Sequence, residues 1–341
     1  MTHPRRVGFA TGYDPSLSVI DMAESMQRAD QLGYEIGFFS ETIELMRDSV
    51  TTLAAIGLRT SRIQIGCTQI VRLRTPLTMA QTFATLDELT GGRMMFSPGA
   101  CTNTHAKRYG LEPFDPVISL REWVDAIRRI ISGENVDFHG QSVAFEGAAL
   151  GWTAVRPAIP MWIPATSATG LRLAGQIGDG VLLNAICSPE YTVNALKIVR
   201  EAVEASGREW ASFEVAQLIN CSVEDDREAA IDAVRWEVAS KFDPIQLPFI
   251  AGPKMRVGEP YIRPEDIPIF EDAYRRGGKA ELIKAVPDEY VLGMTATGTP
   301  DDVRRRVEDF RDAGVRLPIL RPAAKRQSNR LLEMFAEAPV A

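Results

Sequence analysis

Polar residues that could do chemistry follow several short apolar runs of this sequence, at the points where the runs end. Glu41 and Thr42 follow the run 36–39, and the segments 67–70 and 99–103 close two further runs. In a parallel α/β barrel, the carboxyl ends of the strands carry the active site. Glu41 is therefore a candidate catalytic or cofactor-holding carboxylate, and a solvated charge at a strand end is the alternative interpretation.

His105 lies just beyond the last of these segments. Imidazole is the side chain that titrates near neutral pH without a perturbed environment, so His105 could protonate a substrate. A histidine of a plain surface loop is the other interpretation. The four cysteines and three histidines of the chain show neither a CxxC pair nor the spacing of metal ligands. We therefore expect no disulfide framework and no metal site.

The elements that must position these residues are clearest in the segment 62–103. Pro76 suits the first position of a helix, where its missing N–H costs nothing, and Met79, Phe83 and Leu86 recur at the spacing of one apolar helix face. Apolar runs without alternation flank this helix, as in parallel strands that are buried on both faces. The segment therefore predicts a βαβ unit.

The same alternation of strands and helices extends over most of the 341 residues. It gives eight strand candidates, which one (β/α)8 TIM barrel of the α/β class explains better than two domains. The segment 135–146 predicts a hairpin that decorates the barrel. The segment 242–298, rich in Pro and Gly, predicts a long insertion with short helices before the last helix-strand unit. We expect a single domain over residues 1–341 that includes this insertion.

Composition and charge exclude several classes of function. The net charge of −7 argues against a nucleic-acid partner, which would require a basic face. No run of eighteen or more apolar residues is present, and the N-terminal sequence shows no apolar region of a signal peptide. We expect a cytoplasmic protein without a membrane partner.

Three segments together resemble a known family. They read RTPLTMAQTFATLDELTGGRMMFSPGA, IPMWIPATSATGLRLAGQIGDGVLLN and GTPDDVRRRVEDFRDAGV, in this order along the chain. They are similar to the bacterial luciferase-like superfamily, which includes flavin-dependent monooxygenases and coenzyme F420-dependent methylenetetrahydromethanopterin reductases, alcohol dehydrogenases and sugar-phosphate dehydrogenases. The resemblance covers nearly the whole chain and implies the same barrel fold.

The resemblance also implies where a cofactor would bind. Members carry a non-proline cis peptide bond in a bulge at the end of the third strand, which would fall here at Thr68-Gln69 or Gln69-Ile70. They hold the cofactor phosphate in a loop that becomes a helix N-terminus, and helix N-termini attract anions for independent physical reasons. The implied cofactor-binding residues are Thr68, Gln69, Ile70, Ala100, Cys101, Thr102, Asn103, Thr166, Ser167, Ala168 and Thr169.

The sequence departs from the family pattern where proton transfer is concerned. Several deazaflavin-dependent relatives carry a His after the acidic residue of the second strand, where Thr42 stands here. Other relatives carry a Glu at the positions of Thr102 and Ala10. The usual acids and bases are therefore absent, and Glu41, Thr42 and His105 stay as the candidate catalytic residues.

The resemblance implies an oxidoreductase that transfers a hydride between coenzyme F420 and a small organic substrate, as a homodimer. A reduced-FMN-dependent monooxygenase with a flavin reductase partner is the alternative, and a flavin-binding protein without turnover is a third interpretation. The chain length and the insertion favour the deazaflavin. A metal-dependent barrel lyase or hydrolase is disfavoured, because the strand ends lack clustered His and carboxylate residues.

Overall fold

The computed structural model describes residues 6–43, 45–101, 103–252, 257–258 and 262–336. These residues form eleven strands and thirteen α-helices. The strands are β1 (Gly8–Ala10), β2 (Ile36–Ser40), β3 (Gln64–Ile70), β4 (Met94–Gly99), β5 (Val136–His139), β6 (Ala144–Ala148), β7 (Trp162–Ala165), β8 (Gly180–Leu183), β9 (Glu214–Val223), β10 (Ala296–Gly298) and β11 (Leu317–Pro322). The helices are α1 (Val19–Gln31), α2 (Ser49–Arg59), α3 (Pro76–Leu89), α4 (Asn103–Arg108), α5 (Pro116–Ile131), α6 (Ala168–Ile177), α7 (Pro189–Ala205), α8 (Arg227–Ala239), α9 (Leu247–Ile250), α10 (Ile267–Ala285), α11 (Asp288–Met294), α12 (Pro300–Asp312) and α13 (Ser328–Met334).

Eight parallel strands close into a ring, which confirms the predicted (β/α)8 barrel. Their order is β4-β3-β2-β1-β11-β9-β8-β7. The ring closes between β4 and β7, where the Phe96 N–H donates to the Pro160 carbonyl at 2.9 Å and Phe96 bridges to Met161. Closure leaves no free strand edge in this ring, so backbone groups pair all the way round.

Local signals set the helix boundaries that the sequence predicted. Helix α3 begins at Pro76, and the side chain of Thr75 accepts from the Thr78 N–H at 3.2 Å as its N-cap. The predicted hairpin forms as the antiparallel pair β5 and β6. Within the described residues, no helix is long and apolar enough to cross a lipid bilayer.

The insertion is built from short helical segments. It contains α9, α10 and α11, and α10 consists of two helical segments on either side of a kink at Gly277 and Gly278, whose backbone angles are not helical. The rings of Phe242 and Phe270 stack at 4.8 Å and form a separate apolar cluster with α8. The insertion ends in β10, which pairs with β9. It therefore lies against α8 and β9, at the carboxyl end of the barrel strands.

Candidate functional site

The carboxyl ends of the barrel strands surround a cavity of about 290 Å³. Several of the residues predicted from the sequence line it, namely Glu41, Thr68, Ile70, Ala100 and Thr166. Much of the remaining wall is apolar and consists of Leu182, Leu183, Ala185 and Leu218. A flat and largely apolar group could therefore bind here, with polar atoms of the strand ends at its rim.

Glu41 is held by three partners at the edge of this cavity. Its Oε1 accepts hydrogen bonds from the Ser49 hydroxyl at 2.7 Å and from Arg74 Nη2 at 2.9 Å. Its Oε2 accepts from the backbone N–H of Ile70 at 3.0 Å. Gln69 extends the network by donating to the Ser49 hydroxyl at 2.8 Å. The carboxylate thus ties the end of β2 to the end of β3, which favours a positioning role over proton exchange.

The end of β3 differs from the geometry that the resemblance implied. The Thr68-Gln69 and Gln69-Ile70 peptide bonds are both trans, so the expectation of a cis bond is wrong. Strand β3 keeps an unbroken parallel register with β4 as far as Ile70, which lies opposite Gly99. This register leaves no bulge, and the Gln69 side chain is buried behind the strand.

The loop after β4 turns only part of its length towards the cavity. Ala100 lines the cavity, whereas Cys101 is buried and burial raises the pKa of its thiol. Asn103 begins α4, and its side chain accepts from the Phe114 N–H at 3.0 Å instead of facing the cavity. Two further candidates of this stretch lie outside the described residues, Thr102 and the side chain of His105.

The predicted phosphate loop is the N-terminus of helix α6, next to the cavity. Thr166 lines the cavity, Ser167 is the N-cap, and Ala168 and Thr169 form the first turn. The Ser167 hydroxyl accepts from the Gly170 N–H at 3.2 Å. The remaining N–H groups of a first turn have no carbonyl partner within their helix, so they can bind an anion that reaches them from the cavity.

A buried charged network that the sequence analysis missed supports the opposite wall. Arg321 on β11 donates to Asn220 Oδ1 and to Glu237 Oε2, both at 2.7 Å. Both charged side chains of this pair are only 4% exposed. The guanidinium of Arg321 lies 3.9 Å from the centroid of the Tyr13 ring. Tyr13 and Arg321 both line the cavity.

The Tyr13 hydroxyl lies in a positive environment. Burial by itself raises the pKa of Tyr13, but the charge of Arg321, hydrogen bonding with Thr42 and Ser40, and the charge of Lys241 together lower it below its ordinary value. Lys241 lines the same cavity and forms no salt bridge within the described part of the chain. The cavity thus combines apolar walls with an excess of positive charge.

Sequence signals for these residues were weak. Arg321 had the clearest one, because it is a charged residue that directly follows the apolar run 317–320 of the last strand. Tyr13 follows the first strand by three residues, so a wider window after each strand would have included it. Lys241 follows a helix, where nothing in the sequence points to the barrel mouth.

A larger cavity of about 640 Å³ lies outside the barrel, between α5 and α6. Two arginines of its lining already have partners, because Arg128 pairs with Asp179 at 2.9 Å and Arg208 donates to the Gly178 carbonyl at 2.6 Å. Asp179 precedes β8, so this cavity lies towards the amino ends of the strands. Among the described residues, no three His, Cys, Asp or Glu side chains meet in a way that could hold a metal ion. The smaller cavity is the better candidate site.

Comparison with known proteins agrees with this geometry. The sequence model of the luciferase-like monooxygenase family matches residues 5–317. The chain is 28% identical over 314 residues to a 5,10-methylenetetrahydromethanopterin reductase of Archaeoglobus fulgidus, covering 90% of this chain and 91% of that protein. It is also 28% identical over 305 residues to an F420-dependent glucose-6-phosphate dehydrogenase of Nakamurella multipartita, covering 84% of this chain and 86% of that protein.

Solved structures show the same fold. The coenzyme F420-dependent tetrahydromethanopterin reductase from Methanopyrus kandleri superposes with a TM-score of 0.81 at 22% identity, covering 97% of this chain and 98% of that one.

Proposed function

Because this chain belongs to the luciferase-like monooxygenase family, we propose that it is a coenzyme F420-dependent oxidoreductase that transfers a hydride between the deazaflavin and a small organic substrate. The observation that carries the proposal is the cavity at the carboxyl ends of the strands, which opens beside the N-terminus of α6. The similar proteins that are named as F420-dependent support the choice of cofactor.

The residues present fit a deazaflavin nucleotide. The apolar wall formed by Leu182, Leu183 and Leu218 suits a flat ring system, which binds mainly through its faces. The first turn of α6 suits a phosphate, because its N–H groups and its dipole favour negative charge. When bound, the deazaflavin supplies two-electron hydride transfer and, with carbon in place of the flavin N5, reacts poorly with oxygen.

The chain's own residues hold and orient the groups in this cavity. Thr68 and Ile70 form one side, and the hydrogen bond from the Ile70 N–H to Glu41 fixes that strand end. Ala100 and Thr166 form other parts of the rim. Because these residues lie at strand ends of a closed barrel, their backbone positions are set before any ligand binds, which reduces the entropy cost of binding.

The proposal extends to the assembly and location of the protein. In keeping with the family resemblance, we expect single-domain subunits that form a homodimer in the cytoplasm. Sedimentation velocity of the purified protein at micromolar concentration tests the dimer, and a monomer at that concentration would contradict it.

Fluorescence titration of the cofactor-free protein tests the function. Coenzyme F420 and FMN are each added in oxidised and reduced form without oxygen, and we expect tighter binding of F420. Stronger binding of reduced FMN would favour the two-component monooxygenase instead. If neither binds below about the millimolar range, which corresponds to roughly −4 kcal/mol, the proposal fails.

A charge change at the helix N-terminus sharpens this test. Thr169→Glu places a carboxylate in the first turn of α6, where it suits the helix dipole but repels a phosphate. We expect roughly tenfold weaker F420 binding, or about 1.4 kcal/mol, without loss of thermal stability. Ile20→Glu is the matched control, because Ile20 holds the same helix position in α1 and is 50% exposed. Equal F420 affinity of both variants would argue against a phosphate at α6.

A further inference from the structure

The cavity contains few groups that can exchange a proton with a substrate. Among the described residues that line it, the titratable side chains other than Arg321 are Tyr13, Glu41 and Lys241. Glu41 is occupied by Ser49, Arg74 and the Ile70 N–H, as described above. Lys241 carries a positive charge on a flexible stem. Among the described residues, none forms a salt bridge with Lys241 that would hold its ammonium group in one position.

Tyr13, in contrast, is held in place from two sides. Its ring packs on the Arg321 guanidinium at 3.9 Å, and Arg321 is itself fixed by Asn220 and Glu237. The backbone that leads to Tyr13 passes so close to β11 that a Cβ on Gly12 would lie 2.6 Å from the Pro322 carbonyl oxygen. A larger residue at position 12 could not keep this path.

From this geometry we infer that Tyr13 is the catalytic residue that exchanges a proton with the substrate oxygen in the cavity, a role that rests on the proposed function. Its substrate class is then a carbonyl compound or the corresponding alcohol. Tyr13 supplies the proton transfer that the resemblance assigns to Glu or His at positions 10, 42 and 102, where this chain has Ala, Thr and Thr.

The surroundings of Tyr13 suit this exchange. Burial raises the pKa of its hydroxyl, but Arg321 of β11, Thr42 and Ser40 of the β2 end, and Lys241 after α8 lower it, with a net direction below the ordinary value. The negative charges that face the same region are those of Glu41 and Glu237, and both are paired, with Arg74 and Arg321 respectively. A phenolate at this position is therefore stabilised.

Carbonyl reduction needs a hydride at the carbonyl carbon and a proton at the carbonyl oxygen. The hydride, with its two electrons, would come from the reduced deazaflavin, and the carbonyl oxygen would gain the negative charge. The O–H bond of Tyr13 breaks, a new O–H bond forms on the substrate oxygen, and the phenolate charge stays beside Arg321 until water returns a proton. In alcohol oxidation the proton of the substrate hydroxyl would move to the phenolate, and the hydride of the hydroxyl-bearing carbon, with its two electrons, would pass to the oxidised deazaflavin.

Tyr13→Phe tests the role and preserves the ring on Arg321. We expect its F420 affinity to stay within about twofold, because the ring remains, and its kcat to fall about 100-fold or more, a common effect of losing a general acid. Turnover is measured with reduced F420 and a panel of ketones, aldehydes and enones. Tyr274→Phe is the matched control, because Tyr274 packs against the insertion cluster away from the cavity.

A second readout needs no turnover. The ultraviolet absorbance of tyrosinate is followed against pH for the wild type and for Tyr13→Phe, and the difference should show one tyrosine that ionises below the ordinary value of 10.0. The pH profile of carbonyl reduction should fall as pH rises through the same range, because the protonated form is the donor. Tyr13→Phe should lack this dependence.

The experiments distinguish failure of the proposed function from failure of the role of Tyr13. Absence of F420 binding to the wild type would overturn the proposed function and the inference with it. If F420 binds, then a difference titration without such a tyrosine, wild-type turnover by Tyr13→Phe, or no turnover of any carbonyl compound of the panel would overturn only the role of Tyr13.

Discussion

The two ends of the barrel use charged residues in opposite ways. At the amino ends of the strands, Arg6 donates to Glu35 and to Glu214, with contacts of 2.5 and 2.7 Å, and thereby joins the starts of β1, β2 and β9. Asp87 and Arg156 form a similar clamp beside the start of β4, where Asp87 is only 1% exposed. These ion pairs hold neighbouring elements together at the amino end of the barrel.

At the carboxyl ends, the strands leave a cavity and a surplus of positive charge. Lys241 lines this cavity without a salt bridge in the described part of the chain, and the guanidinium of Arg321 lies over the Tyr13 ring. The difference indicates that the amino end supplies stability, whereas the carboxyl end keeps charge available for a ligand. Substitutions at the two ends should therefore separate stability from function.

The largest effect on stability is expected from Asp87→Ala at the amino end. The carboxylate accepts from Arg156 Nε at 2.9 Å and from the Met94 N–H at 3.1 Å. Its loss leaves the partly buried guanidinium of Arg156 without its counter-charge, and leaves the buried Met94 N–H without a partner. We expect the free energy of unfolding to fall by about 3 kcal/mol, measured by urea denaturation. F420 affinity of the folded variant should stay within about twofold of the wild type.

The matched control for this prediction is Glu204→Ala. Glu204 pairs with Arg200 at 2.7 Å on the exposed face of α7, where an ion pair contributes little. It should unfold at nearly the same urea concentration as the wild type. A loss of F420 affinity in Asp87→Ala that matches its loss of stability would remove the distinction between the two ends.

The next largest effect is expected from Asp30→Asn, and it depends on pH. Burial alone raises the pKa of Asp30. Hydrogen bonds from the N–H groups of Ser61, Ile63 and Arg62 together lower it by more, so the pKa lies below its ordinary value. A depressed pKa contributes stability above the unfolded value of about 3.9, and this contribution is lost as the pH falls through the folded value. The exposed Asp312 offers the control substitution Asp312→Asn.

We expect Asp30→Asn to lose about 1.5 kcal/mol of unfolding free energy at neutral pH, in line with charge-assisted hydrogen bonds. The gap to the wild type should shrink as the pH falls below about 4. Urea denaturation of both proteins at neutral pH and below about pH 4 measures this difference in the free energy of unfolding. A gap that is independent of pH would show that the carboxylate charge plays no part at this end.

Much of the fold could be predicted from the sequence, because helix caps and apolar runs involve residues that are close together along the chain. Thr75 and Pro76 start α3 where predicted, and apolar runs without alternation gave the eight barrel strands. The Pro and Gly residues of the insertion predicted short helices, and Gly277 and Gly278 do interrupt α10. The position of the insertion was harder to predict, because it depends on the packing of Phe242 and Phe270 with α8, which no local pattern shows.

The site was predictable where topology alone decides it. Glu41 and Thr166 follow strands, and parallel strands bring all such positions to one end. The sequence could not show that Glu41 would be taken up by Arg74, or that the Asn103 side chain would accept from the loop that follows it. Lys241 lines the cavity because α8 and the chain after it place it there, and its position in the sequence, after a helix, did not predict this.

A smaller effect on stability, with a functional consequence, is expected from Gly12→Ala at the carboxyl end. The added Cβ would lie 2.6 Å from the Pro322 carbonyl oxygen, so the backbone must shift and Tyr13 must move with it. We expect a loss of about 1 kcal/mol in unfolding free energy and a reduced kcat in the carbonyl panel. Gly151→Ala is the control, because nothing lies within 4 Å of its added Cβ. Normal kcat in Gly12→Ala would mean that the position of Tyr13 tolerates this shift.

The smallest effect on stability is expected from Lys241→Gln. A change in function without a change in stability would separate the roles of the carboxyl and amino ends of the barrel most clearly. Because Lys241 lines the cavity without a salt bridge in the described part of the chain, its loss should change the free energy of unfolding by less than about 0.5 kcal/mol. The same change removes a positive charge that lowers the pKa of Tyr13, so that pKa should rise. Tyrosinate titration of Lys241→Gln, with and without Tyr13→Phe, measures the rise, and Lys279→Gln on the exposed face of α10 controls for net charge. If the pKa of Tyr13 does not change, the charge of Arg321 controls it and that of Lys241 does not. If the pKa rises and the free energy of unfolding stays the same, Lys241 acts on the cavity and not on stability.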